Sequence, residues 1–249
     1  MIYNYLPSLK QPISISIPVE KSNDDLKISI QTLVKEFENN PQSTHAITSL
    51  STRYGIKRRR LYDVVNVLTS IGCCQKTCLD NVSWLGKSHI MSEINRLRML
   101  KQIDNQGKTL SELFPVDGCI GISNLTICFM LMFFAQQTNK IDLRFVGQFF
   151  SRNTGRYKTT LCKLYQICYI LSALGITSRT QTVCEVVINP PYYQEDIASP
   201  PENQHEEPFL SITSLLSRPR DKSIPSFILN RRKEMHDCFV HSVAQKESA

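Results

Sequence analysis

KRRRLYDVVNVLTSIG, residues 57–72, sets Leu61, Val64, Val65, Leu68 and Ile71 at steps of three and four, which places them on one stripe of a helix. Arg59, Tyr62, Asp63 and Asn66 fall largely outside that stripe, and Gly72 supplies a stop. The spacing predicts a helix that is anchored in a core along one side and cationic at its N-terminal end. Upstream, Gly55 closes a shorter helix from Ala46 to Tyr54 whose Ile47 and Leu50 face inward. Before it, Asp24 and Asp25 open a first helix carrying Leu26, Ile30, Leu33, Val34 and Phe37 at helical spacing, ended by Asn39-Asn40-Pro41. Downstream, Cys73 to Gly86 mixes β-formers around a turn at Asp80-Asn81, the pattern of a two-stranded hairpin. Three helices and a hairpin over residues 24–86 make a winged helix, a helix-turn-helix domain.

The same pattern recurs. Leu61-Tyr62 to Thr77 can be laid on Leu164-Tyr165 to Thr180 without a gap, so that Leu68 meets Leu171, Gly72 meets Gly175 and Lys76 meets Arg179. Asn124 to Phe134 and Leu143 to Phe150 supply the helices before it. The fold class expected is α+β, mainly helical, with two tandem winged-helix domains at 24–86 and 121–189. Residues 1–23, with Pro7, Pro12 and Pro18, read as a flexible lead-in. Residues 87–120 read as a linker with one short helix, His89 to Ile103, about two heptads long and below the length of a sustained coiled coil. Residues 190–249, acidic on balance and opening on Pro190-Pro191 and Pro200-Pro201, read as a disordered tail whose Phe209–Leu216 and Phe227–Arg232 clusters could dock on a partner or on the chain itself.

Composition narrows the functions. The chain has 249 residues and a formal charge of +7, and the positive excess lies in 121–189 and, more weakly, in 24–86. That distribution suits a polyanionic partner. Nine cysteines show no repeated metal spacing, and the cluster Cys73-Cys74 with Cys78 lacks a second pair or a His, so no metal and no cofactor is expected. A secretory signal is not seen, and Ile127 to Ala135 is too short to span a bilayer, so no membrane partner is expected. Neither a phosphate loop, nor paired acids, nor a nucleophile with a placed base is visible, so an enzyme is not expected.

Major-groove readout calls for long cationic side chains at the N-terminal end of a recognition helix, where a guanidinium can donate two bonds to guanine. Arg58, Arg59 and Arg60 hold that position, with Arg53 and Lys57 just before them and no acid between. Asp63 among these arginines would repel phosphate unless it pairs with one of them and holds its rotamer. Trp84 and Tyr62 read as core. In the second copy the positions of Arg59, Arg60 and Asp63 hold Cys162, Lys163 and Gln166, which argues against base readout there. Arg156, Lys158 and Lys163, with Arg152 and Arg179, instead suit phosphate contacts that position without specifying.

Arg59-Arg60-Leu61-Tyr62-Asp63, then Asn66-Val67-Leu68, Gly72 and Asn81-Val82-Ser83-Trp84-Leu85-Gly86 resemble the recognition helix and wing of the E-two-F and DP group of cell-cycle transcription factors. The resemblance covers 24–86 closely and 121–189 more loosely. It implies that Arg59 and Arg60 contact guanines of a GC-rich promoter element, with Tyr62 and Asp63 supporting helix placement and backbone contacts. A second winged helix after a short linker, in place of a long coiled coil and marked box, resembles the atypical tandem branch, which implies nuclear, DP-independent repression. Double-stranded DNA is the expected partner, with intramolecular pairing of the two winged helices. A DP-like partner, a corepressor, or a non-catalytic scaffold role in a nuclear complex stays open.

Overall fold

The computed structural model describes residues 23–41, 43–78, 80–116, 121–193 and 224–247; the lead-in lies outside them almost entirely. Helix α1, Asn23–Asn39, buries Ile30, Leu33, Val34 and Phe37, the stripe its spacing predicts. Strand β1, Thr44–Ala46, leads into α2, Ile47–Tyr54, and α3, Arg58–Ser70. Strands β2, Cys74–Cys78, and β3, Asn81–Trp84, form the wing hairpin. The sheet is three-stranded rather than two, in the order β1-β3-β2, because Thr44 to Ala46 pair antiparallel with Asn81 to Ser83. A three-residue strand is too short to show a period of two, which hides β1 in the sequence.

This winged-helix core is closed by Trp84, 5 % exposed and stacked on Phe37 with ring centroids 5.6 Å apart. Gly72 turns α3 into the wing with φ +79°, and a Cβ there would lie 2.8 Å from Glu93 Cβ. Both the left-handed backbone and the close pass of the linker helix demand a residue without a side chain. That linker helix is α4, His89–Lys101, followed by a single turn, α5, Leu110–Leu113, capped by Thr109 and Glu112.

From Ile122 onward the element order repeats. Helix α6, Ile122–Ala135, is buried nearly all round. Strand β4, Lys140–Asp142, precedes α7, Leu143–Phe150, and α8, Tyr157–Ala173. Strands β5, Thr177–Arg179, and β6, Glu185–Ile188, follow, and the sheet order β4-β6-β5 parallels that of the first half. Gly175 repeats the left-handed turn with φ +77°. The described residues are thus mainly helical with two small antiparallel sheets, an α+β fold.

Disorder does not extend over the whole of 190–249. Residues 194–223, and with them the Phe209–Leu216 cluster, lie outside the described residues, but Ser226–Glu247 forms a helix, α9, packed on α7 and α5. Its Ile228 and Met235 are buried, and Phe239 stacks on Phe145 at 4.2 Å. Arg231, 2 % exposed, donates to the carbonyls of Ile103, Asn105, Lys108 and Ala135 at 2.6–3.2 Å. Arg232 donates to the carbonyls of Gln136 and Gln137 just beyond α6. Glu234 accepts the amides of Leu110 and Ser111 at the start of α5, at 2.8 and 3.0 Å. Glu234 thus meets the amide end of α5, and Arg232 and one bond of Arg231 meet the carbonyl end of α6, while the other Arg231 acceptors lie in the loop between α4 and α5.

Candidate nucleic-acid interface

The N-terminal turn of α3 carries the arginine run, where unsatisfied backbone N–H groups add their own positive potential. Lys57, Arg58, Arg59 and Arg60 are all exposed. Their surroundings differ. Arg58 Nη2 donates to the Tyr62 hydroxyl at 3.3 Å and to Asp80 Oδ1 at 3.4 Å, with its guanidinium 5.6 Å from the Tyr62 ring centre. Among the described residues no side chain pairs with Arg59 or Arg60. Arg53, at the end of α2, is ion-paired with Glu36 of α1, an exposed pair of small energetic worth.

Asp80, in the wing turn, ties three elements together. Its Oδ1 accepts the Tyr62 hydroxyl of α3 at 2.5 Å, its Oδ2 accepts Thr48 Oγ1 of α2 at 3.0 Å, and its carbonyl accepts the Ile47 amide at 2.7 Å. The Tyr62 bond above all, then the Thr48 bond and the Arg58 charge, hold the Asp80 carboxyl below its ordinary range. A folded pKa below the unfolded one means the latch is complete above the unfolded value and opens only as pH falls through the depressed one, so it is closed at neutral pH. On the far side of the wing, Lys76 Nζ donates to Asn66 Oδ1 at 2.5 Å. The wing is therefore fastened to the recognition helix at both ends. In the sequence Asp80 reads only as a turn former, the ordinary role of Asp at such a position, and Thr48 gives no signal at all. Changing Tyr62→Phe removes the hydroxyl and keeps the ring; we expect a loss of about 1 kcal/mol in urea unfolding. An unchanged midpoint would mean that the latch bears no load.

Asp63 is half-buried, and no ion pair joins it to an arginine among the described residues, contrary to the role expected for it. Its Oδ2 accepts Gln166 Nε2 of α8 at 2.5 Å. The reason is tertiary: α3 packs against α8 and α6, which covers the face where Asp63 projects.

The second half keeps the latch in altered form. Tyr165, which overlays Tyr62, bonds Cys184 Sγ at 2.8 Å, and the Cys184 carbonyl accepts the Leu143 amide at 2.9 Å, as Asp80 accepts Ile47. A thiol stands where the first half has a carboxylate. Lys158 is exposed on the first turn of α8, Arg156 precedes it and Lys163 is half-buried. Arg152, counted among the basic surface of this half, is turned inward and donates to the carbonyls of Phe149, Ser111 and Phe114. Among the described residues, every cysteine is a free thiol, no group of side chains could hold a metal ion, and no helix is long and apolar enough to cross a membrane.

Three helices, a three-stranded sheet, a fastened wing and two arginines at the exposed end of α3 with no side-chain partner among the described residues define the type of domain. Residues 22–86 match the E-two-F/DP family winged-helix DNA-binding domain. The family matched by this segment is one of DNA-binding domains, not of enzymes. Two curated relatives extend the similarity beyond it. Transcription factor E2F7 of Danio rerio is 20 % identical over 186 residues, covering 64 % of this chain and 26 % of the relative. Transcription factor E2F7 of Xenopus tropicalis is 20 % identical over 215 residues, covering 66 % of this chain and 25 % of the relative. The chain thus spans about a quarter of the length of these relatives.

Proposed function

We propose that this chain is a sequence-specific double-stranded DNA-binding transcription regulator that uses two winged helices from one polypeptide. The observation carrying this reading is the pair Arg59 and Arg60, exposed and without a side-chain partner among the described residues, on the recognition helix of a domain that matches a DNA-binding family. Residues 121–189 act as the second winged helix. Supporting this, α3 packs on α6 while α8 packs on α1, so that each recognition helix meets the first helix of the other half. Reciprocal contact of this kind is the mark of a two-fold interface, here between halves of one chain. Domain one reads bases and domain two grips the adjacent backbone, through Arg156, Lys158 and Lys163, with Lys57 and Arg53 adding phosphate contacts beside the first helix. A linked second site raises affinity without adding specificity.

By the tandem resemblance, the reading extends to a nuclear, DP-independent repressor of cell-cycle or developmental genes acting at GC-rich promoter elements. Filter binding of the whole chain to GC-rich and scrambled duplexes at rising salt, with no DP protein present, tests it. Preference for the GC-rich duplex is expected. Equal binding to all duplexes would indicate a scaffold, and binding only after a DP protein is added would return the chain to the DP-dependent class. In the same assay, Lys158→Ala with Lys163→Ala should weaken binding to every duplex alike and flatten the salt dependence by about one unit per lost phosphate contact. A loss confined to one sequence would mean that the second domain reads bases.

A further inference from the structure

Asp63 and Gln166 occupy equivalent positions in the two halves, since Leu61-Tyr62 overlays Leu164-Tyr165. The hydrogen bond between them, 2.5 Å long and half-buried, therefore joins the two recognition helices to each other at the same point of each. We propose that Asp63 and Gln166 are positioning residues that set the separation and rotation of α3 against α8, and with them the distance between the DNA segments that the two domains touch.

The placement supports this. In α3 the bond falls one turn behind the exposed Arg58–Arg60 end, close enough that a shift there moves the arginines, while the surrounding α3–α6 and α1–α8 packing is apolar and non-directional. A hydrogen bond between a charged acceptor and an amide adds the direction that apolar packing lacks. The chemistry of the pair also matters: a short carboxylate faces a long amide, so one side supplies only acceptors and the other can donate. An acid at both positions would set two like charges against each other in a half-buried site, which is unfavourable. Arg59 and Arg60 remain the base-reading groups; Asp63 acts on DNA only through the geometry it imposes.

The inference rests on the two-domain reading, and hydroxyl-radical footprinting of the wild-type chain on its GC-rich duplex checks that reading first: two protected patches are expected, and a single patch over the first domain would overturn both. Gln166→Glu should then lower affinity about tenfold and blur or displace the second patch relative to the first. Gln166→Leu, which drops the bond without adding a charge, should do the same more weakly. The deciding variant combines Asp63→Asn with Gln166→Glu, which exchanges donor and acceptor while keeping both side-chain lengths and the total charge. Return of affinity and patch separation to near wild type supports the pairing. No loss in Gln166→Glu, or a loss that the exchanged pair does not rescue, overturns it, since a direct DNA role for Asp63 would not survive the exchange.

Discussion

Replacing Arg59 or Arg60 with alanine should cost roughly 1–3 kcal/mol in binding to the GC-rich duplex and flatten the preference among bases. The expectation follows from what the neighbouring cations already do. Arg58 leans on Tyr62 and Asp80, and Arg53 on Glu36, so their guanidinium groups have partners within the protein. Arg59 and Arg60 have none among the described residues and stand on the helix end that a major groove admits. Neither contributes to the core, so both variants should unfold at the wild-type temperature. Competition binding against single-base variants of the site reads the effect. Equal losses on cognate and scrambled DNA would show that the two arginines touch only phosphate.

Arg231→Ala should be the most destabilising change outside the apolar cores, at about 3 kcal/mol or more. The guanidinium is nearly sealed from water and surrounded by main-chain oxygens rather than by a carboxylate. Burial pulls its pKa down, while Asp104 and Glu234 nearby push the other way. Truncation leaves the carbonyls of Ile103, Lys108 and Ala135 without this donor, leaves Asn105 only the Lys108 amide, and opens a cavity where the side chain lay. Lysine should not rescue, because a compact ammonium cannot reproduce the planar fork that reaches four oxygens at once. Thermal unfolding and amide exchange across 103–113 would register the loss, and a wild-type melting temperature would sink the assignment.

Where periodicity governs, the fold is legible. The stripes of α1 and α3 follow from spacing, because burial of one helix face dictates the pattern, while the turns at Gly72 and Gly175 follow from residue type and the overlay of the two halves, and the core position of Trp84 from its residue type. Helix α9 escapes for a specific reason. Ile228, Arg231, Met235 and Phe239 recur at steps of three and four, but an inward arginine reads as a solvent residue and breaks the stripe on paper. In the molecule, main-chain carbonyls of the 103–108 loop and of the end of α6 receive it. The site divides the same way: the arginine run and the wing can be read from residue type and order, whereas the partners of Asp63 and Asp80 depend on elements brought together from distant parts of the chain.

Helix α9 is synthesised after everything it binds. Each half of the chain closes its own sheet and helices from nearby sequence, while Arg231 and Arg232 must find carbonyls 95 to 128 residues upstream. At a translation rate of about 5–20 residues per second, these carbonyls wait roughly 5–25 s on the ribosome for their donors. During that interval the two halves are joined by a segment still lacking its clasp. Docking of one late helix then completes the assembly, so a ribosome that stalls before residue 231 leaves both halves built and the joint between them open.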